Sequence, residues 1–194
     1  MNNKIVLASQ SPRRKQLLEW AEIDFEIIVR STDETFPEHM VIEEVPVHIA
    51  RNKAMAVLND INEFASEPVT IIAADTIVVL ENKIIGKPTD RENAINILMD
   101  LSGHMHRVIT GVVIKKGNRE TCFSDTTAVW FHELSQKEIA FYVDKYNPYD
   151  KAGAYAIQEW IGVVGIKRIE GDFYNVMGLP VSKVVQALKE INPE

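Results

Sequence analysis

The sequence predicts an α/β protein with mixed α+β character, in which helices flank a mixed and twisted β-sheet. Short apolar runs alternate with helical patterns along the first half of the chain, which is typical of such folds. A long hairpin is predicted in the middle, because the strand-like segments 107–116 and 120–134 are separated by the turn dipeptide Gly117-Asn118. We therefore expect a sheet that is not purely parallel, with two lobes around a central cleft.

The elements before the hairpin are predicted from apolar periodicity and capping residues. Ser11 and Pro12 suit the cap and the first position of a helix whose apolar face carries Leu17 and Leu18. Residues 89–92 (Thr-Asp-Arg-Glu) are predicted to form a capping box. The predicted elements are strands over 4–8, 25–29 and 69–80 (one strand or a bent pair), helices from Pro12, over 43–59 and from the capping box to Leu101, and a polar loop over 30–42.

The elements after the hairpin begin with a second capping box. It is Ser135-Gln136-Lys137-Glu138, and it opens a helix that runs to about Lys145. Residues 146–156 are predicted to form a loop and residues 160–169 a strand. Pro180 begins a last helix with an apolar face.

Length and composition limit the classes of function. At 194 residues the chain is expected to form a single domain over 1–194, or two tightly joined lobes. The single cysteine, Cys122, excludes an internal disulfide and a zinc site of paired cysteines. No run resembles a secretion signal or approaches the roughly 18 apolar residues of a membrane helix, so we expect a cytoplasmic protein without a membrane partner.

The net charge of −7 argues against a general affinity for nucleic acid. A small anionic ligand remains compatible, provided that clustered Arg and Lys residues or a metal offset the repulsion. Homodimers are the commonest soluble oligomers, and on that general ground a homodimer is the oligomer we expect.

The segment from Ser9 to Arg14 lies between a predicted strand end and a predicted helix start. The free N–H groups and partial positive charge of a helix N-terminus suit phosphate oxygens. Two serine hydroxyls add donors, and Arg13 and Arg14 add guanidinium groups that can bind phosphate bidentately. In the alternative, Ser11 only caps the helix and both arginines face solvent. The combination of two serines and two arginines favours an anion site.

Asp75 interrupts the apolar run 69–80. Burial of a carboxylate costs free energy unless the group is paired or binds a metal, and strand interiors disfavour Asp. A bend or a strand end, where Asp75 or Thr76 satisfies a turn, is the alternative. Because nothing else in the run resembles a turn, we favour a metal-bound carboxylate or a general base directed at a water molecule.

Several other positions carry weaker signals. Asp33 and Glu34 lie in a polar loop, where acids are usually only solvated, and Lys53 on its helix is compatible with an ordinary surface lysine. Lys87 is more specific, since Gly and Pro on either side fix its backbone, although the surrounding residues do not form a Walker A motif. The segment 150–158 is either a base-binding loop or a packed turn.

Two histidines, His104 and His106, are expected to share one face of a strand. Two histidines alone are a weak metal-ligand signal, so we assign them a structural role.

In order and spacing, these segments resemble the Maf family of nucleoside triphosphate pyrophosphatases over nearly the whole chain. The resemblance rests on residues 7–14 (Leu-Ala-Ser-Gln-Ser-Pro-Arg-Arg), Asp33-Glu34, Ala50 to Ala54, Ala74-Asp75-Thr76, Gly86-Lys87-Pro88, Leu101-Ser102-Gly103, Asp150 to Gln158 and Gly178-Leu179-Pro180. It implies a fold like that of the inosine triphosphate pyrophosphatases. It also implies hydrolysis of a nucleoside triphosphate to the monophosphate and pyrophosphate, with Mg²⁺ or Mn²⁺ as cofactor.

The resemblance also implies roles for individual residues. Asp75 corresponds to the catalytic proton acceptor, and with Glu34 it would hold the metal. The residues implied in contacts with phosphate, metal or water are Ser9, Arg13, Glu34, Lys53 and Lys87. Arg13, Thr76 and Gln158 match the specificity positions of the branch that prefers dTTP and UTP, whereas the branch acting on 7-methyl-GTP has Trp, Gln and Glu there.

The sequence departs from the family pattern at two places. Ala74 stands where Gly is common, and Glu159-Trp160 follow Gln158 where the family usually has Gly. The second departure puts a charge and a large ring beside the presumed base contact.

The main hypothesis is therefore a dTTP/UTP pyrophosphatase whose partner is a small-molecule nucleotide. One rival is a related enzyme with another base preference, which clears modified nucleotides. The other rival is a nucleotide-sensing regulatory protein linked to cell division arrest, in which turnover is incidental.

Overall fold

The computed structural model describes residues 4–61 and 68–191, and these contain a mixed β-sheet with flanking helices. The strands are β1 (Ile5–Leu7), β2 (Glu26–Ile27), β3 (Thr70–Leu80), β4 (Lys83–Ile85), β5 (Met105–Lys116), β6 (Arg119–Phe131) and β7 (Ile166–Glu170). The helices are α1 (Pro12–Trp20), α2 (Val45–Ile61), α3 (Arg91–Leu101), α4 (Gln136–Tyr146), α5 (Trp160–Gly165), α6 (Phe173–Met177) and α7 (Val181–Ile191). The predicted fold class is confirmed.

The sheet has the strand order β2-β1-β3-β5-β6-β7, with β4 paired to β3. Strand β1 pairs in parallel with both β2 and β3, whereas β4 and β7 pair antiparallel with β3 and β6. The hairpin of β5 and β6 turns at Gly117-Asn118, as predicted. Among the described residues, no helix combines the length and apolar character needed to cross a bilayer.

The described residues divide into two compact units, and the first comprises residues 4–61, 68–75, 110–125 and 178–191. Its core lies between the parallel pair β1–β3, where Val6 is in register with Ile71, and the apolar face of α2. The small residues Ala50 and Ala54 on that face are fully buried. Gly111 of β5 allows the start of α2 to approach closely, because a Cβ at this position would overlap the backbone of Pro46 and Val47.

The second unit comprises residues 76–109 and 126–177. Helix α3 packs against α4 and against a 3₁₀ turn at Ala152–Ala154. The buried rings of His106, Phe131 and Tyr155 meet edge to face, with centroids 5.0 to 5.4 Å apart. Helix α4 begins with the predicted capping box, in which both the Ser135 and the Glu138 side chain make their bonds.

The prediction of a strand over 160–169 is wrong for its first half. Residues 160–165 form helix α5, and only Ile166–Glu170 form a strand. The β-branched composition favoured a strand, but the carbonyl of Glu159 accepts hydrogen bonds from the N–H groups of Gly162 and Val163 and starts a helical turn. Backbone hydrogen bonding at the start of the segment therefore overrides its β propensity.

Other predicted boundaries also shift. The cap of α3 is Asp90, whose carboxylate accepts from the Asn93 N–H at 2.8 Å, so the capping box predicted from Thr89 is not formed. The predicted strand 25–29 shrinks to two residues, and α2 follows a 3₁₀ turn at Ile42–Glu44. Helix α6 was not predicted.

Candidate active site

The loop between β1 and α1 is held by serine hydroxyls. Ser11 caps α1 by accepting from the Arg14 N–H at 3.5 Å, and Pro12 is the first helical residue, as predicted. The buried Ser9 hydroxyl accepts from the Ser11 N–H at 3.3 Å. The backbone at the start of α1 is thereby ordered by its own side chains.

The two arginines of this loop differ in environment. Arg14 is buried, and its Nε donates to the carbonyl of Gly178 at 2.7 Å while Nη1 donates to the Ser9 hydroxyl at 3.0 Å. Arg13 is half-buried. The alternative in which both arginines face solvent is therefore wrong for Arg14, which fixes the loop against the segment before α7.

The charge on Arg14 belongs to a wider electrostatic cluster of the first unit. Burial lowers the pKa of Arg14, because the guanidinium loses contact with water, and the carboxylates of Asp75 and Glu34 partly oppose this by favouring the charged form. The positive charge of Arg13 lowers the pKa of Arg14 further. The loop thus brings a fixed cation close to the acidic residues of the site.

Three predicted site residues meet in one ionic cluster. Lys53 Nζ lies 2.7 Å from Asp75 Oδ1 and 2.7 Å from Glu34 Oε1. The side chains of Lys53 and Asp75 are only 18% and 15% exposed, whereas that of Glu34 is 50% exposed. We call Glu34, Lys53 and Asp75 the carboxylate–lysine cluster.

The cluster decides between the alternatives left open for its members. Asp75 lies inside β3, which continues unbroken to Leu80, so a bend or a strand end does not explain it. Lys53 on α2 is mostly buried and paired, unlike an ordinary surface lysine. Asp33, by contrast, accepts from the Thr35 N–H at 2.9 Å and shapes its own loop.

The donor set of the cluster is suited to a hard divalent cation. Two carboxylates converge on one cationic group, and Mg²⁺ is commonly bound by one or two carboxylates together with substrate phosphates and water. In residues 4–61 and 68–191 no group of three or more His, Cys, Asp or Glu side chains is arranged to hold a metal.

The other predicted site residues lie in the second unit. Thr76, half-buried on β3, follows Asp75 directly in the chain, and Lys87 is exposed between β4 and α3. The carbonyl of Gly86 accepts from the Gly153 N–H at 3.2 Å, so the Lys87 segment is tied to the segment 150–158. Gln158 is exposed at the end of that segment.

Sequence reasoning missed Tyr142, which binds Glu159, the first of the two residues at which the chain departs from the family pattern. The Tyr142 hydroxyl donates to the Glu159 carboxylate and accepts from the Ala156 N–H at 3.1 Å. The Trp160 ring packs on Phe141, with centroids 5.0 Å apart. Both side chains that follow Gln158 are therefore engaged by α4. The only sequence signal was a tyrosine on the buried face of a helix, whose hydroxyl needs a partner.

The two histidines do not share a strand face. His104 precedes β5, and His106 lies within it. The Nε2 atom of His106 and the Tyr155 hydroxyl are 2.7 Å apart. Burial lowers the pKa of His106 to about 4, so the imidazole is neutral at pH 7.

The mixed α/β fold is shared with a solved structure of low sequence identity. The structure of the Staphylococcus aureus Ham1 protein superposes with a TM-score of 0.53 at 18% identity, covering 96% of this chain and 98% of that one. This likeness extends over the whole architecture and concerns the fold alone.

Comparison with known sequences identifies the family of the chain. The profile of the family described as Maf-like protein matches residues 4–191, and the chain belongs to this family. A relative from Cytophaga hutchinsonii, named dTTP/UTP pyrophosphatase, is 50% identical over 194 residues, covering 100% of this chain and 87% of its own. A relative of the same name from Parabacteroides distasonis is 49% identical, covering 96% of this chain and 95% of its own. The resemblance drawn from the motifs is confirmed.

Proposed function

We propose that this protein is an enzyme that hydrolyses nucleoside triphosphates, with dTTP and UTP as preferred substrates, to the monophosphate and pyrophosphate. The observation that carries the proposal is the carboxylate–lysine cluster, in which Asp75 is held inside a buried strand beside Lys53. Relatives that are 50% and 49% identical and are named for this activity support the substrate class.

The triphosphate binds at the loop before α1 in this proposal. Arg13 and the start of α1 offer guanidinium and backbone N–H donors to phosphate oxygens. The Ser9 hydroxyl accepts from Arg14 and keeps its own proton for a phosphate oxygen. Arg14 acts indirectly, because its bonds to Ser9 and Gly178 hold the loop in place.

The chemical step is attack of water on the α-phosphorus, which breaks the bond between the α- and β-phosphates and releases pyrophosphate. Asp75 accepts the proton that the attacking water loses. Lys53 contacts the same carboxylate at 2.7 Å and orients it. A charge of several units on the substrate is neutralised by Arg13, Lys53 and Lys87, in a protein whose net charge is −7.

We further propose that the enzyme uses a divalent cation, Mg²⁺ or Mn²⁺, as its cofactor. Glu34 and Asp75 would hold it, since both carboxylates contact Lys53 Nζ and therefore lie close to one another. When bound, such an ion would act as a Lewis acid toward a phosphate oxygen and would lower the pKa of water.

Base preference is assigned to Arg13, Thr76 and Gln158. The Gln158 amide offers both a donor and an acceptor, which suits the edge of a pyrimidine, and Thr76 adds a hydroxyl. Gln158 is exposed and therefore accessible to a ligand.

The proposal is tested by measuring pyrophosphate release from a panel of purine and pyrimidine triphosphates in Mg²⁺ or Mn²⁺. We expect turnover of dTTP and UTP and slower turnover of purine nucleotides. Equal rates with purine triphosphates would contradict the specificity assignment and favour the rival with another base preference. Binding of nucleotides without turnover of any of them would contradict the enzyme and favour a nucleotide-sensing protein.

We expect the enzyme to be cytoplasmic. Its proposed substrates belong to the nucleotide pool of the cytoplasm, and its negative charge disfavours nucleic acid as a partner. A homodimer remains the expected oligomer. Light scattering after size-exclusion chromatography tests that expectation, and the mass of a monomer would contradict it.

A further inference from the structure

Gln158 sits at a corner of a tight turn. The N–H of Glu159 donates to the carbonyl of Ala156 at 3.1 Å and closes four residues whose central pair is Ile157 and Gln158. Ile157 is buried and Gln158 is exposed. The turn thus anchors one side chain in the core and presents the next to solvent.

A single phenol holds both ends of this turn. The Tyr142 hydroxyl accepts from the backbone N–H of Ala156 at 3.1 Å and donates to the carboxylate of Glu159. Tyr142 is fully buried on α4 and stacks on Tyr146, with ring centroids 5.0 Å apart. Lys151 Nζ lies 3.6 Å from the other oxygen of the same carboxylate and restrains it further.

The turn is also held from its C-terminal side. The carbonyl of Glu159 accepts from the Gly162 N–H at 2.9 Å and starts α5. A Cβ at position 162 would overlap the carbonyl oxygen of Ile157, so the absence of a side chain allows α5 to pack against the turn. Backbone movement at Gln158 is therefore opposed by α4 and by α5.

We propose that Tyr142 and Glu159 are positioning residues that orient the Gln158 amide and thereby set base selectivity. The inference rests on the proposed function, in which Gln158 contacts the base. An amide distinguishes two bases only if its donor and acceptor are held in a defined direction, and a polar side chain on a loose turn adapts to either. Neither Tyr142 nor Glu159 need touch the substrate for this effect.

The test compares Tyr142→Phe with Tyr146→Phe, which removes a hydroxyl from the neighbouring stacked ring as a matched control. Tyr142→Phe loses both hydrogen bonds at the ends of the turn. We expect the KM for dTTP to rise about tenfold, kcat to change less than about twofold, and the preference for dTTP over dGTP to fall about tenfold. The control is expected to match the wild type within about twofold in all three.

A double-mutant cycle with Gln158→Ala separates positioning from general destabilisation. If Tyr142 acts through Gln158, then Tyr142→Phe has no further effect on base preference once the amide is absent. Independent losses of selectivity that multiply in the double variant would overturn the inference. So would an unchanged preference in Tyr142→Phe.

Hydrogen exchange provides a readout that does not depend on turnover. The amide of Ala156 is expected to exchange at least about tenfold faster in Tyr142→Phe, because its acceptor is gone. Unchanged exchange would overturn the positioning role even if the wild type hydrolysed no nucleotide, whereas absence of turnover in the wild type contradicts only the proposed function. If Tyr142→Phe does not fold, Glu159→Ala in the same cycle removes one end of the clamp and is judged by the same outcomes.

Discussion

Replacing Lys53 with Met leaves two carboxylates of the carboxylate–lysine cluster without their shared cation. Met has a similar length and fills the space of the lysine stem, so the change removes mainly the charge. We expect the free energy of unfolding to fall, because Asp75 is then a poorly solvated anion inside a strand.

The size of the effect follows from the burial of the partners. Removal of one partner of a buried ion pair costs about 3–5 kcal/mol, whereas a half-exposed pair such as Lys53–Glu34 contributes less than about 1 kcal/mol. The nearby charge of Arg14 offsets part of the loss at Asp75. We therefore expect a cost of about 3 kcal/mol at the lower end of the range.

Urea unfolding of Lys53→Met, Asp75→Asn and the double variant measures this cost and the coupling between the two residues. The double variant has no unpaired charge in the strand, so its cost is expected to be smaller than the two single costs combined by at least about 2 kcal/mol. The reasoning would be refuted if the cost of the double variant equalled the sum of the two single costs within about 0.5 kcal/mol. It would also be refuted if Lys53→Met alone cost less than about 1 kcal/mol.

Three further predictions concern stability. Arg14→Lys is expected to lower the free energy of unfolding by about 2 kcal/mol, because a lysine cannot bond two acceptors in the fixed geometry of a guanidinium; in urea unfolding, a loss no greater than that of the exposed Lys15→Ala would contradict this. Burial lowers the pKa of His106 from 6.5 to about 4, so as the pH falls the unfolded chain binds this proton before the folded chain does. The free energy of unfolding is therefore expected to fall by up to about 3 kcal/mol between pH 6.5 and 4. His106→Gln is expected to flatten the dependence of stability on pH in this range, and an unchanged slope would disprove the role given to His106. Gly111→Ala is expected to lower the free energy of unfolding by more than about 3 kcal/mol, because the new Cβ would overlap the start of α2. In Gly86→Ala the new Cβ meets no atom within 4 Å, so this variant is expected to melt like the wild type. Equal melting temperatures for the two variants would contradict the close packing of α2 on Gly111.

Elements with a local signal at their ends were predictable from sequence. The caps of α1 and α4 and the turn at Gly117-Asn118 depend on residues within a few positions of one another, and all three form as predicted. Helix α5 lacked such a signal, because its cap residue, Glu159, makes no side-chain capping bond and its first hydrogen bonds go to a backbone carbonyl.

In the candidate site, too, local signals were predictable from sequence and contacts between distant segments were not. Asp75 was conspicuous in the sequence because burial of an acid in an apolar run costs free energy. The structure agrees with this interpretation, since Asp75 lies inside β3. The pairing of Lys53 with Asp75 and Glu34 joins three segments that are distant in sequence, so no local pattern indicates it. Likewise, neighbouring arginines carry equal signals in the sequence, and only the tertiary contact with Gly178 identifies Arg14 as the buried one.

The central claim is that Asp75 accepts a proton during hydrolysis of a nucleoside triphosphate to the monophosphate and pyrophosphate. Its most direct test is the rate of pyrophosphate release from dTTP in Mg²⁺ by the wild type and by Asp75→Asn, with urea unfolding as the check that the variant is folded. We predict one pyrophosphate for each monophosphate in the wild type and a kcat at least about 10²-fold lower in the variant. A folded Asp75→Asn protein that retains kcat within tenfold of the wild type, or release of inorganic phosphate in place of pyrophosphate, would contradict the account.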